Sequence, residues 1–134
     1  MPELPDITLY LEALTARILG QRLERVERRD PFLLRSAEPP MDRVNARQVV
    51  ALRRLGKRIV IGLNDDLRLV LHLMIAGRLA WFDGGRALRG RQILALVHFD
   101  NRTLAITEAG SKRRASLHLI AGPDALAVHD PGAI

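Results

Sequence analysis

From residue 49 to residue 120 the chain repeats one pattern, short apolar or alternating segments broken by turn-forming residues. Residues 49–55, 58–63, 67–73, 78–82, 93–99, 103–107 and 115–120 each have the length of a strand and are too short for independent helices. Asn64-Asp65-Asp66 and Asp100-Asn101 are turn signals, and residues 84–91 form a Gly/Arg loop. Upstream, residues 22–27 alternate weakly and 32–34 are short and apolar. Residues 41–46 read as a helical turn after Pro39-Pro40. Roughly six to eight short strands, most joined as consecutive antiparallel hairpins, can bury their apolar faces only by stacking. The predicted architecture is α+β and mainly β, an antiparallel two-sheet sandwich or flattened barrel.

One helix leads this series. Ile7, Leu11, Leu14 and Ile18 recur at helical spacing, Pro5 suits a first turn, and Gly20 is a natural stop. A helix over residues 5–19 is expected. At 134 residues, 48% of them hydrophobic, the chain is one domain by length and can bury a core without staples. Residues 1–120 are assigned to that domain. Residues 121–134, with His129-Asp130-Pro131-Gly132, read as a linker toward a further domain.

The absence of cysteine excludes disulfides and cysteine-ligated metal sites. The histidines show no convergent ligand spacing, so neither a metal nor another cofactor is expected. No apolar run approaches the roughly 18 residues that span a membrane, and Glu3 and Asp6 come too early for a signal peptide. A cytoplasmic monomer without membrane partners is the default. The net charge of +6 favours a polyanionic partner, nucleic acid first. Of the 21 basic residues only Lys57 and Lys112 are lysines. Arginine forks suit phosphates and base edges. An arginine-biased genome would give the same ratio, so the charge supports nucleic-acid binding without deciding it.

The chemistry is at the start, in Met1-Pro2-Glu3-Leu4-Pro5. Removal of Met1 ahead of the small Pro2 frees a secondary amine, which can attack an electrophilic carbon and form an iminium. An α-amino group ordinarily titrates near 7.7–8.0, and a following helix N-terminus lowers that further by disfavouring the ammonium. While Met1 stays attached, the Pro2 nitrogen is an amide and cannot react. Glu3 is a carboxyl group within reach to shuttle a proton. The same helix terminus favours its ionised form, so acid work requires burial or a second group.

The opening motif does not stand alone. The helix behind it is joined by Lys57 in Arg53-Arg54-Leu55-Gly56-Lys57-Arg58 and by His72-Leu73-Met74-Ile75-Ala76-Gly77-Arg78-Leu79. Together these resemble the formamidopyrimidine-DNA glycosylase and endonuclease VIII family, over the N-terminal half of a family member. The resemblance implies a bifunctional glycosylase and abasic-site lyase acting on damaged double-stranded DNA in base-excision repair. Pro2 matches the nucleophile that attacks C1′ of a flipped-out nucleotide, Glu3 the catalytic acid, and Lys57 a phosphate contact beside the lesion. Lys57 could also be a solvated hairpin charge. Ile75 matches the position of an apolar wedge that fills the vacated stack, with Met74 one residue earlier, though both could equally be core. In place of the family's Asp-Pro-Arg-Arg-Phe-Gly stands Thr107-Glu108-Ala109-Gly110-Ser111-Lys112-Arg113-Arg114. Lys112, Arg113 or Arg114 could fill the orphan space or bind phosphates, without an aromatic partner. Asp6 and Thr8 replace glutamates common in the family helix. Family members continue into a helix-two-turn-helix domain, so these residues alone are expected to bind DNA weakly and turn over little.

Two other readings remain open on the residues themselves. One is a non-catalytic basic β domain that binds nucleic acid. The other is a proline-based tautomerase, whose βαβ units fit this run of hairpin strands poorly.

Overall fold

The computed structural model describes residues 4–31, 33–35, 40–74, 77–83, 92–100, 102–109 and 114–121. Helix α1, Leu4–Ile18, leads the chain. Ile7 and Ile18 are fully buried and Leu14 nearly so, with Leu11 packed against the same core. That is the stripe its spacing foretold. Gly20 ends the helix at φ 84, a left-handed conformation that glycine adopts without penalty. The Gly20 N–H then donates to the Val49 carbonyl (2.8 Å), and the Val49 N–H donates to the Gln21 carbonyl (2.8 Å). The C-terminal end of α1 is thereby fixed to the start of a strand.

Eight strands follow: β1 Arg22–Arg28, β2 Arg47–Leu55, β3 Arg58–Leu63, β4 Leu67–His72, β5 Gly77–Asp83, β6 Ile93–Phe99, β7 Arg102–Glu108 and β8 Ser116–Ala121. A single 3-10 turn, Met41–Val44, precedes β2. All ladders are antiparallel, and the eight strands form one continuous sheet in the order β5-β7-β6-β1-β2-β3-β4-β8. The mainly-β class with a leading helix is as expected. The connectivity is less sequential than the turn signals implied. β2, β3 and β4 are consecutive neighbours and β6 pairs β7, but β5 lies beside β7 and β8 beside β4.

The joint between β1 and β2 is short, holding two residue pairs, Arg22↔Gln48 and Leu23↔Arg47. It divides the sheet into two four-stranded halves, β5-β7-β6-β1 and β2-β3-β4-β8. One core cluster draws from both. Leu23, Val97, Phe99, Leu104 and Ile106 come from the first half, and Ile59, Ile61, Leu69, Leu71, Leu117 and Leu119 from the second. The two halves therefore both contribute to one buried interior.

Of the short apolar segment at 32–34, the described residues Leu33 and Leu34 join no ladder. The N–H groups of Arg29 and Asp30 donate to Leu94 on β6, and those of Leu117 and Arg35 link Leu33, Leu117 and Arg35 along β8. Leu34 makes only an isolated parallel bridge to Leu117, because this stretch spans from one half to the other instead of joining a ladder. Phe32, the loop at 84–91 and the linker at 121–134, apart from Ala121 at the end of β8, lie outside the described residues. On β1 and β6, Glu27 accepts from Arg29 (2.8 Å) and lies 3.1 Å from His98 Nε2. The hydrogen bond from Arg29 leads the contacts that hold the Glu27 carboxyl below its usual value, with His98 contributing and burial opposing. His98 is thus part of a structural staple between two strands.

The core assignment has a direct test. Ile7→Ala removes a fully buried side chain and is expected to cost about 2–5 kcal/mol in denaturant unfolding. Leu9→Ala on the 62% exposed face of the same helix should stay within about 0.5 kcal/mol of the parent. Equal losses would mean that α1 does not pack by this face.

Candidate functional site

The chain passes between the two halves of the sheet at two places that lie side by side. β4 belongs to one half and β5 to the other, so residues 73–76 cross between them. β7 and β8 are likewise in different halves, and residues 109–115 cross back. Register makes the crossings neighbours. His72 pairs with Ser116 on one side, and Gly77 pairs with Glu108 on the other. Each residue at the root of one loop is opposite a residue at the root of the other.

The first crossing is held very tightly. The Gly77 N–H donates to the Leu73 carbonyl (3.0 Å), closing a five-residue turn. A Cβ on Gly77 would lie 2.1 Å from that carbonyl oxygen and 2.8 Å from its carbon. Only glycine fits, because the obstruction is backbone. Within the turn Met74 is forced to φ 60, a left-handed conformation that costs a non-glycine residue roughly 1–2 kcal/mol. Strain of this kind concentrates where a loop must present a side chain to a partner. Met74 is half-buried. Ile75, the residue matched to the wedge, lies outside the described residues.

The second crossing is anchored by Glu108, 1% exposed. Its Oε1 accepts from the backbone N–H of Arg114 (2.9 Å) and of Ala115 (3.3 Å), and Oε2 accepts from the same two groups at 3.1 and 3.3 Å. The Arg114 side chain is exposed at the foot of β8. Lys112 and Arg113 lie outside the described residues.

The third element is the β2–β3 hairpin. Leu55 pairs with Arg58, leaving Gly56 and Lys57 as a two-residue turn. Gly56 sits at φ 63, the geometry a primed turn needs at its first central position. Lys57 is exposed at the tip. Ile59 pairs with Leu71, so one step along the ladder Arg58 comes opposite His72. The electrostatics agree. His72 is held below its ordinary 6.5, mainly by burial and further by the cations of Arg58 and Lys57. The hairpin carrying Lys57 and the two crossings therefore meet at one end of the sheet.

Of the residues singled out from the sequence, this end gathers Lys57, Met74 and Arg114. Pro2 and Glu3 lie outside the described residues. The opposite end of α1 is tied to Val49, at the start of β2, whereas the Lys57 hairpin is at the end of β2. Sequence reasoning passed over Glu108 and gave His72 only a turn-holding role. Glu108 left a signal. β7 turns Leu104 and Ile106 into the core, and the same alternation points the carboxyl of Glu108 inward, where an apolar residue would be ordinary. Among the described residues no group of three His, Cys, Asp or Glu could hold a metal ion.

The model of the formamidopyrimidine-DNA glycosylase N-terminal domain matches residues 1–129. The chain belongs to that family. Among its relatives, the formamidopyrimidine-DNA glycosylase of Heliobacterium modesticaldum is 36% identical over 81 residues, covering 59% of this chain and 29% of that protein. The enzyme of the same name from Solibacter usitatus is 31% identical over 111 residues, covering 81% of this chain and 40% of that protein. The chain thus spans well under half the length of these relatives. A crystal structure of Lactococcus lactis Fpg in complex with DNA containing an abasic site superposes with a TM-score of 0.85 over 96% of this chain and 47% of that one, at 22% identity. The glycosylase N-terminal fold is thereby shared.

The imidazole of His72 tests the meeting of hairpin and crossing. Its NMR titration should have a midpoint below 6.5, leaving it neutral at pH 7, and Lys57→Met should move that midpoint upward. Because the folded value is lowered, the unfolded chain binds the proton first. The contribution of His72 to stability is full above pH 6.5 and is lost as pH falls below it. A midpoint indifferent to Lys57 would separate the hairpin from His72.

Proposed function

We propose that this chain is the nucleophile-bearing N-terminal part of a base-excision DNA glycosylase and abasic-site lyase. Damaged double-stranded DNA lies across the end of the sheet where the Lys57 hairpin and the two crossings meet. The observation that carries this reading is the pairing of Gly77 with Glu108 and of His72 with Ser116. It sets the described roots of the two crossings, Leu73-Met74 and Arg114-Ala115, at one end of the sheet, and Lys57 acts on His72 there.

Each part then has a task. Lys57 and the loop cations meet phosphates, which dominate affinity and make it salt-dependent. Ile75, with Met74 beside it, fills the space left in the stack when the damaged nucleotide swings out. The freed amine of Pro2 attacks C1′, the glycosidic bond breaks, and the base departs with a proton supplied through Glu3. The sugar ring opens as the iminium forms, and loss of a C2′ proton expels the 3′ phosphate. The iminium is then hydrolysed and the amine returns.

Residues 1–120 form the catalytic domain in this reading, and 121–134 lead toward a helix-two-turn-helix domain. The protein works as a monomer in the cytoplasm, at the nucleoid. No helix among the described residues is long and apolar enough to cross a membrane. Much of the DNA grip belongs to the remainder of such a protein, so these 134 residues should bind weakly and turn over slowly.

The test is borohydride trapping. Chain with Met1 removed, incubated with abasic-site duplex and reduced, should yield a covalent protein–DNA adduct. Pro2→Gly or acetylation of the N-terminus should reduce the adduct at least tenfold. DNA binding without an adduct would leave only a binding module, and keto–enol activity without DNA binding would favour a tautomerase.

A further inference from the structure

We propose that the hollow between α1 and β5 is a binding site for a single-ring aromatic carboxylate, its ring against Trp81 and its carboxylate on the Arg17 guanidinium. The inference is independent of the DNA-binding reading above.

Helix α1 packs chiefly on β2 and β3, strands of one half of the sheet. β5 is the edge strand of the other half, and among the described residues its one ladder partner is β7. Where the helix passes β5 the two do not close, and a hollow of about 160 Å³ remains. Tyr10, Ala13 and Arg17 line it from one face of the helix, Leu79 and Trp81 from β5, and Leu104 from β7. A cavity of about 150 Å³ holds one benzene ring, so this hollow suits a ligand with a single ring.

The walls are mostly apolar or aromatic, and one cation stands among them, the composition of a small-molecule site. Trp81 is braced from the core by Phe99, with ring centroids 6.1 Å apart. Arg17 Cζ lies 5.8 Å from the Trp81 ring centroid. Arg17 is exposed and makes no ion pair among the described residues. Its contact with the indole face holds the guanidinium beside the hollow before any ligand arrives, so less side-chain freedom is lost on binding. A planar guanidinium offers a carboxylate two parallel N–H donors. A ring and a carboxylate in one molecule therefore match the wall and the cation together. A cationic ring would be repelled by Arg17, and a neutral one would leave its charge unanswered.

Trp81 is the single tryptophan of the chain, so its emission reports this site alone. Titrated with benzoate at pH 7, the full 134-residue chain should show a saturable change in that emission, with a Kd of about 1 mM or lower. Benzyl alcohol, the neutral counterpart, should bind about fivefold to tenfold more weakly, and benzylamine more weakly still. Acetate, an anion without a ring, should not displace benzoate at equal concentration. Arg17→Met keeps a flexible apolar stem at an exposed position and should weaken benzoate about tenfold, while benzyl alcohol changes less than about twofold. Arg17→Lys keeps the charge but loses the fork, and should fall between parent and Arg17→Met. Ala13→Phe puts a ring of the protein's own into the hollow and should abolish binding of both ligands while the far-UV circular dichroism stays that of the parent. If that variant fails to fold, Arg17→Met decides alone.

A response that does not saturate, displacement by acetate, or equal affinity for benzoate and benzyl alcohol would each overturn the proposal. So would unchanged benzoate binding in Arg17→Met or in a folded Ala13→Phe.

Discussion

The tight turn in which the Gly77 N–H meets the Leu73 carbonyl is the constraint from which the rest of this end of the molecule follows. It lets the chain leave one half of the sheet and enter the other within four residues, 73–76, at a separation no Cβ would tolerate. Because the passage is so short, β5 begins directly beside the end of β4. β7 and β8 also lie in different halves, and Glu108 and Ser116 at their ends pair with Gly77 and His72. The left-handed Met74 and the buried Glu108 both lie at this end of the sheet.

Electrostatics are divided along the same seam. Within the fold, acidic groups hold strands and loop ends together. Glu27 bonds Arg29 and approaches His98, and Glu108 takes the backbone of Arg114 and Ala115. Lys57 is exposed at a turn and Arg114 at the foot of a strand. His72 is held below its ordinary value by burial and by the cations of Arg58 and Lys57. A phosphate brought to this end would relieve that repulsion.

The helix and nearly all strands could be read from the chain. Their signals are local, a 3.6-residue period for Ile7, Leu11, Leu14 and Ile18, and short runs of consecutive apolar residues along β3, β4 and β7. Strand edges moved by one or two residues, because ladder bonds extend past the apolar stretch, as at Gly77 and Glu108. Around Leu33 and Leu34, apolar composition alone does not distinguish a ladder from a segment that makes an isolated bridge. The turn at Gly56-Lys57 was legible in its glycine. The roles of Glu108 and His72 were not, since each depends on what a distant strand brings against it.

By itself the sequence determined which segments become helix and strand, and that a proline with a neighbouring carboxyl follows Met1. These are properties of single residues and of spacing along one segment. Only the tertiary structure decided that β5 lies beside β7 and β8 beside β4. Those pairings unite residues about 30 to 50 apart, Gly77 with Glu108 and His72 with Ser116. Long-range partners are selected by how the two halves of the sheet close over one shared core, and that closure is a property of all the strands at once.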